Sequence, residues 1–174
     1  NGQKSSEGTY KDGELVEVIG RLKEVKENGE KESEENYKDG KEEKHGLNTE
    51  FYDNGQKKSE GTLKDGKKDG VWTYWHDNGQ KFKEGTYKDG ELDGLYTNWY
   101  ENGQKSSERT YKDGKKDGLY TEWYKNGQKS SKSTYKDGKK DGLYTEWYKN
   151  GQKSSEGTYK DGELVEVIGR LKEV

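Results

Sequence analysis

Residues 118–141, GLYTEWYKNGQKSSKSTYKDGKKD, decide what kind of fold this chain makes. Leu119, Thr121 and Trp123 alternate with Tyr120, Glu122 and Tyr124, a period of two in residues that favour strands. Asn126–Gly127 follows at once. The pair is expected to form a two-residue type I′ turn, whose central residues both need the positive φ that Asn and Gly tolerate best. A second arm, Lys129 to Lys136, is mostly Ser, Thr and Lys, ends at Tyr135, and runs into the next turn signal, KDG. The stretch is therefore expected to be one β-hairpin, with Lys125 opposite Gln128, Trp123 opposite Ser130 and Tyr120 opposite Ser133.

The hairpin repeats. NG occurs at Asn1, Asn28, Asn54, Asn78, Asn102, Asn126 and Asn150, and KDG begins ten residues after each, so the chain is a tandem array whose spacing settles at 24. A lone hairpin cannot bury its face. Identical hairpins stacked at fixed spacing let like aromatics pack in ladders. The position of Ser133 is held by Gly61, Gly85 and Gly157 in other repeats, and a glycine opposite a tyrosine gives the ring bare backbone to lie on. One sheet face is expected to carry Tyr96, Tyr120 and Tyr144 with Tyr100, Tyr124 and Tyr148. The other is expected to carry Leu95, Leu119 and Leu143 with Trp99, Trp123 and Trp147. The expected fold is all-β: an elongated, solenoid-like single antiparallel sheet of stacked hairpins of about 24 residues each.

Composition points the same way. An apolar share of 23% beside a charged share of 40% is typical of disordered chains. Yet 5 Trp, 14 Tyr and 2 Phe supply more than half of that apolar share, and aromatics are what disordered segments lack. The 33 basic and 36 acidic residues are interspersed, which leaves no electrostatic footprint for nucleic acid or anionic lipid. The lack of cysteine excludes disulfide and thiol chemistry and leaves the compartment undecided, with bacterial cell surface and cytoplasm both open. No apolar run approaches a transmembrane segment. A first residue Asn1 without methionine suggests a fragment or processed product.

Residues 1–174 read as one array, with degenerate repeats in 1–53 and regular ones in 54–162. In the first third, IGRLKEVKENGEKESEENYKDG aligns without gaps on DGLYTEWYKNGQKSSKSTYKDG, with Val25 and Lys26 in place of Trp and Tyr. Extra residues follow KDG in ELVEVIG, expected to be an extended insertion because Gly20 and the β-branched residues disfavour a helix, and again in KEEKHG. Residues 1–25 recur letter for letter as 150–174. The identity marks either a super-repeat from a larger array or an engineered terminal duplication.

Copies such as DGLYTNWYENGQKSSERTYKDGKK resemble the bacterial variant of MORN repeats, most strongly from Gly46 to Gly162. The resemblance implies a sheet of stacked hairpins. It also brings in antitoxin components of the YwqK type and, for MORN repeats more broadly, protein scaffolding and lipid contact. Arg109, Ser133 and Glu35 stand where the pattern prefers glycine.

Catalytic chemistry finds little support. His45 and His76 occupy non-equivalent repeat positions, where Asp69 and Asp117, or Tyr100 and Tyr124, stand elsewhere; no convergent metal or acid–base partners accompany them. Asp113, Asp117, Asp137 and Asp141 read as turn residues rather than a catalytic pair. Asp89, Glu91 and Asp93 imitate the opening of a calcium loop, but Tyr100 stands where its closing glutamate belongs. No catalytic residue, metal or cofactor is expected. The rows Tyr96, Trp99, Tyr100, Tyr120, Trp123, Tyr124, Tyr144, Trp147 and Tyr148 are the candidate binding surface, or else the core itself. The expected role is a non-enzymatic scaffold that binds a protein partner, or a structural array that self-associates through its sheet ends. Alternatives are an antitoxin that neutralises a toxin by binding it, and a carbohydrate- or choline-binding module, since GVWTYWHDNGQKFKEGTY looks superficially like choline- or wall-binding hairpins.

Overall fold

The computed structural model describes residues 3–11, 14–25, 31–38 and 45–170, with side chains for 45–169. The protein is all-β. Among the described residues there is no helix, and strand order in the open antiparallel sheet is strand order in the chain. The chain divides into two compact units, Asn1–Lys81 with Tyr87–Gly90 and Phe82–Thr86 with Glu91–Val174. The first contains β1 (Gln3–Lys11), β2 (Glu14–Val25), β3 (Lys31–Lys38), β4 (Gly46–Phe51), β5 (Lys57–Lys64) and β6 (Lys67–Trp75). Strand β7 (Lys81–Lys88) is divided between the units. The second contains β8 (Glu91–Trp99), β9 (Lys105–Lys112), β10 (Lys115–Trp123), β11 (Lys129–Lys136), β12 (Lys139–Trp147), β13 (Lys153–Lys160) and β14 (Glu163–Arg170).

In the second unit, β10 and β11 place Tyr120 opposite Ser133, as the spacing predicts. Nearer the turn the expected register fails. A bulge between Glu122 and Trp123 puts Trp123 opposite Lys129 instead of Ser130. The Tyr124 N–H donates to the Gln128 carbonyl (2.8 Å) and the Gly127 N–H to the Tyr124 carbonyl (2.9 Å), so Lys125 lies inside the loop and does not pair with Gln128. Only Gly127, at φ 82, is left-handed here. The NG turn is thus a three-residue loop closed by a glycine bulge, not a type I′ turn. The two consecutive positive φ values that type I′ needs occur at the other end, at Asp137 (49) and Gly138 (86), flanked by Lys136 opposite Lys139.

Asn126 does not take the left-handed conformation because its amide is engaged elsewhere. Its Oδ1 accepts the Gln128 N–H (3.1 Å) while its Nδ2 donates to the Lys149 carbonyl one repeat onward (2.9 Å). The Tyr100 and Tyr124 hydroxyls make the same step, donating to the carbonyls of Trp123 (2.6 Å) and Trp147 (2.8 Å). At the opposite end the Gly138 N–H donates back to the Lys116 carbonyl (2.8 Å). Each repeat is thereby fastened to its neighbour at both ends, which gives otherwise orphaned loop groups their partners.

The core is thin. No described side chain is completely buried, and the centre of the sheet is the threonine column Thr97, Thr121 and Thr145, 4–5% exposed. Gly157 does lie beneath a tyrosine: a Cβ there would come within 2.5 Å of the Tyr144 ring and 2.3 Å of the Glu166 carbonyl oxygen.

The first unit repeats these devices. Trp72 covers Gly61 and donates its indole N–H to the Thr62 carbonyl (2.9 Å). Tyr52 donates to the Trp75 carbonyl (2.7 Å) and Asn54 to that of Asp77 (2.7 Å). Strands β2 and β3 pair Gly20 with Tyr37 and Val25 with Lys31, with the same bulge before the last pair, in the register the gapless alignment implies. ELVEVIG is extended, as read, within β2. Of the KEEKHG run, residues 41–44 lie outside the described residues.

Candidate binding face of the second unit

Alternate residues of a strand point to opposite sheet faces, so each repeat of the second unit offers two different surfaces. On the first, tyrosines pair across strands: Tyr96 with Tyr111 (centroids 5.9 Å apart), Tyr120 with Tyr135 (5.9 Å) and Tyr144 with Tyr159 (5.0 Å). Cations occupy their π faces. Lys116 Nζ lies 5.0 Å from the rings of both Tyr120 and Tyr135, and Lys140 Nζ lies 4.8 Å from Tyr159. Arg109, standing where other repeats have glycine, holds its guanidinium 5.2 Å from Tyr96 and 5.1 Å from Tyr120. Its Nε is buried without a hydrogen-bond partner, so the rings supply part of what water would have given that cation.

This burial shifts titration. Loss of water pushes the Tyr120 hydroxyl well above the usual phenol range, and its hydrogen bond to the Glu122 carboxylate adds to the shift. Tyr135 is raised by burial and then by the Glu122 charge. Lys116 is lowered, first by burial and then by the like charge of Arg109.

The opposite surface is open. Leu95, Leu119 and Leu143 are 44–50% exposed, beside half-buried Trp99, Trp123 and Trp147. Leu119, Leu143, Thr145 and Trp147 line a groove of about 330 Å³, together with Lys129, Lys132 and the Lys153–Glu156 pair. Lys132 lies opposite Thr121 on one neighbouring strand and Thr145 on the other. Equivalent positions elsewhere hold Glu60, Glu108 and Glu156, each ion-paired with the lysine three residues before it: Lys57 (2.5 Å), Lys105 and Lys153 (3.0 Å). On β11 that carboxylate is replaced by a second cation three residues after Lys129, while the Lys153–Glu156 pair of β13 also lines the groove.

Of the residues expected to bind, Tyr96, Tyr120 and Tyr144 lie on the cation-covered surface. Tyr100, Tyr124 and Tyr148 follow the last residue of their strands, and the first two spend their hydroxyls on the inter-repeat fastening. Trp147 lines the groove. Sequence reasoning did not single out Lys129, Lys132, Leu119 and Leu143 as site residues. The available signal was Lys132, a lysine where the array otherwise repeats glutamate.

The other candidate residues serve local structure. The His76 backbone closes its loop with Gln80 (2.8 Å), and the His45 imidazole has a buried Nδ1 without a partner. Asp113 and Asp137 hold the left-handed turn position, while Asp141 accepts from Lys160 (2.9 Å), which lowers its pKa. Among the described residues, no group of three His, Cys, Asp or Glu is placed to hold a metal ion. No helix among them is long and apolar enough to cross a membrane.

Fastened β-hairpins at fixed spacing define a tandem hairpin-repeat protein. The MORN repeat variant matches residues 44–65, 68–89, 92–113, 116–137 and 140–161, together 110 of the 174 residues, and the chain belongs to that family. A search among curated proteins gives no match. Membership supports a repeat-based binding or scaffold role; this sheet of repeats is not a known enzyme class.

Proposed function

We propose that residues 1–174 form one non-enzymatic scaffold array that binds a protein partner through the Leu–Trp surface of the second unit. One observation carries the reading: a groove of about 330 Å³ lined by exposed Leu119 and Leu143 and half-buried Trp147, in which Lys129 and Lys132 stand beside the Lys153–Glu156 ion pair and leave an excess of positive charge. An extended partner segment with apolar side chains on one face and a carboxylate beside them fits this chemistry, the apolar contacts giving area and the lysines orientation. The tyrosine surface offers less to a sugar or quaternary ammonium ligand, since its rings already hold Lys116, Lys140 and Arg109.

The test is affinity capture from the source cell's lysate with three baits: the wild-type chain, Lys132→Glu and the pair Leu119→Ser, Leu143→Ser. Lys132→Glu restores the residue the array carries at Glu60, Glu84, Glu108 and Glu156, so its fold is expected to be unchanged. A stoichiometric foreign protein held by wild type and lost by both variants is the expected result. A partner held equally by all three baits, or no partner, refutes the reading.

A second reading, self-association, is favoured by the identity of residues 1–25 and 150–174. Two copies carry interchangeable segments at different places in the array. Light scattering over a concentration series tests it, with a mass that rises with concentration expected and an unchanging monomer refuting it.

A further inference from the structure

Strand β6 departs from the repeat where it matters for charge. Tyr74 stands where the second unit has Asn98, Glu122 and Glu146, and Trp72 takes the place of Tyr96, Tyr120 and Tyr144. The change gathers three rings around one cation. Lys68 Nζ lies 4.6 Å from the Trp72 ring, 5.0 Å from Tyr74 and 5.2 Å from Tyr87, all four residues belonging to the first unit. Lys116, the equivalent lysine of the second unit, meets two rings, and Glu122 stands in place of the third.

The three rings are held in place before any ligand arrives. Trp72 lies against Gly61, where a Cβ would come within 2.3 Å of the indole, and its N–H donates to the Thr62 carbonyl (2.9 Å). The Tyr87 side chain donates to the Tyr74 hydroxyl, which also accepts from Lys68. Trp72 is buried, while Lys68, Tyr74 and Tyr87 are half-buried, so the cage reaches solvent.

Its dimensions suit a methylated ammonium better than the primary one it holds. A methyl carbon rests on a ring face at about 3.5–4.0 Å, and its nitrogen, one C–N bond of about 1.5 Å further out, stands about 5 Å from the ring. Lys68 Nζ keeps that distance without a methyl group to fill it. It also brings three N–H donors, one of which goes to Tyr74. A quaternary ammonium has no donors to satisfy and offers its whole charge to the rings.

We propose that Trp72, Tyr74 and Tyr87 form a receptor for a trimethylammonium group, with Lys68 as a tethered occupant that the ligand displaces. The flexible lysine stem lets the displaced ammonium return to water. The site is independent of the groove in the second unit.

The test is a titration of the isotope-labelled full chain, followed by NMR through the indole N–H signals. Trp72 is alone in its repeat position, since Trp75, Trp99, Trp123 and Trp147 share another, and the signal missing from Trp72→Phe assigns it. The probes are choline, its neutral isostere with a tert-butyl group in place of the trimethylammonium, and an acetylated trimethyl-lysine amide. Choline is expected to shift the Trp72 signal saturably in the wild type and to bind at least about tenfold more tightly to Lys68→Ala, which lacks the tethered competitor. Adding Tyr74→Asn, the residue the next repeat carries at Asn98, to Lys68→Ala is expected to weaken binding about three- to tenfold by removing one ring. Tighter binding of choline or of the trimethyl-lysine amide supports the proposal in either case and tells whether the carrier is a small molecule or a modified side chain. An isostere as effective as choline, or binding undiminished by Tyr74→Asn, overturns it. A response confined to Lys68→Ala makes Lys68 a fixed part of the fold and overturns it too, as does the absence of any response.

Discussion

The tyrosine surface and the Leu–Trp surface of the second unit come from alternate residues of the same strands, yet they meet solvent differently. On the tyrosine side, cations from the array lie within about 5 Å of the ring faces, Lys116 on Tyr120 and Tyr135, Arg109 on Tyr96 and Tyr120. On the Leu–Trp side, half-exposed Leu119 and Leu143 line a groove together with buried Thr145. An aromatic row is therefore a poor guide to a binding site by itself. What matters is how closely the protein already occupies the ring faces: on the tyrosine side cations lie about 5 Å from the rings, and on the other side Lys105 Nζ lies 6.0 Å from Trp123.

The largest expected effect probes the division of labour within the Leu–Trp side. Removing Trp99, Trp123 and Trp147 together, each to Ala, is expected to abolish the strand signal in circular dichroism. A buried Trp→Ala change costs about 3–5 kcal/mol, less where the ring is half exposed; three such losses rival the roughly 5–15 kcal/mol that holds a domain folded. The Leu119→Ser, Leu143→Ser pair should keep the signal, because those side chains already lie half in water. A folded triple variant that binds no partner would falsify the structural role given to the tryptophans and leave Trp147, which lines the groove, with binding alone.

A smaller effect sharpens the contrast between glycine and its replacements under the tyrosine rows. Gly157→Ala is expected to lower stability by about 1–3 kcal/mol, since the new methyl collides with both the Tyr144 ring and the Glu166 carbonyl. Ser133→Gly, opposite Tyr120, should cost only about 0.5–1 kcal/mol, the ordinary entropic penalty of glycine in a strand. Urea midpoints of the two variants measure the difference. Equal losses would mean that the ring does not depend on bare backbone.

Much of this arrangement was legible in the sequence, because the repeat restates each hairpin with small changes. The 24-residue spacing, the all-β class, the Tyr120–Ser133 register and the glycine beneath Tyr144 all follow from alternation and turn signals. The turn types did not follow. Asn-Gly and Asp-Gly satisfy type I′ equally well in isolation, and the choice was made by neighbours: the Asn126 amide is used one repeat away, at the Lys149 carbonyl. The open surface was also hidden, because a period of two says that faces alternate without saying which one the array covers with its own lysines. The groove was announced only by Lys132, whose departure from glutamate looks minor until its place between Thr121 and Thr145 is known.

The smallest expected effect distinguishes the two surfaces by pH, since the shifted phenols lie on only one of them. Tyr120 and Tyr135 titrate above the usual phenol value of 10.0 in the folded chain, chiefly because burial disfavours the phenolate. Above about pH 10 the unfolded chain releases protons that the folded chain keeps, so stability falls as pH rises through this window. Lys116 acts in the opposite sense. Its folded pKa lies below the usual 10.5, the unfolded chain binds the extra proton, and stability rises with pH until that value is reached. The net profile of the wild type is expected to turn downward near pH 10. Tyr120→Phe removes the larger phenol contribution along with its hydrogen bond to Glu122, so its urea midpoint should start lower at neutral pH and fall less steeply above pH 10. An identical alkaline slope in wild type and variant would mean that Tyr120 is as well hydrated as a free phenol, and the tyrosine surface would then be as open as the one opposite.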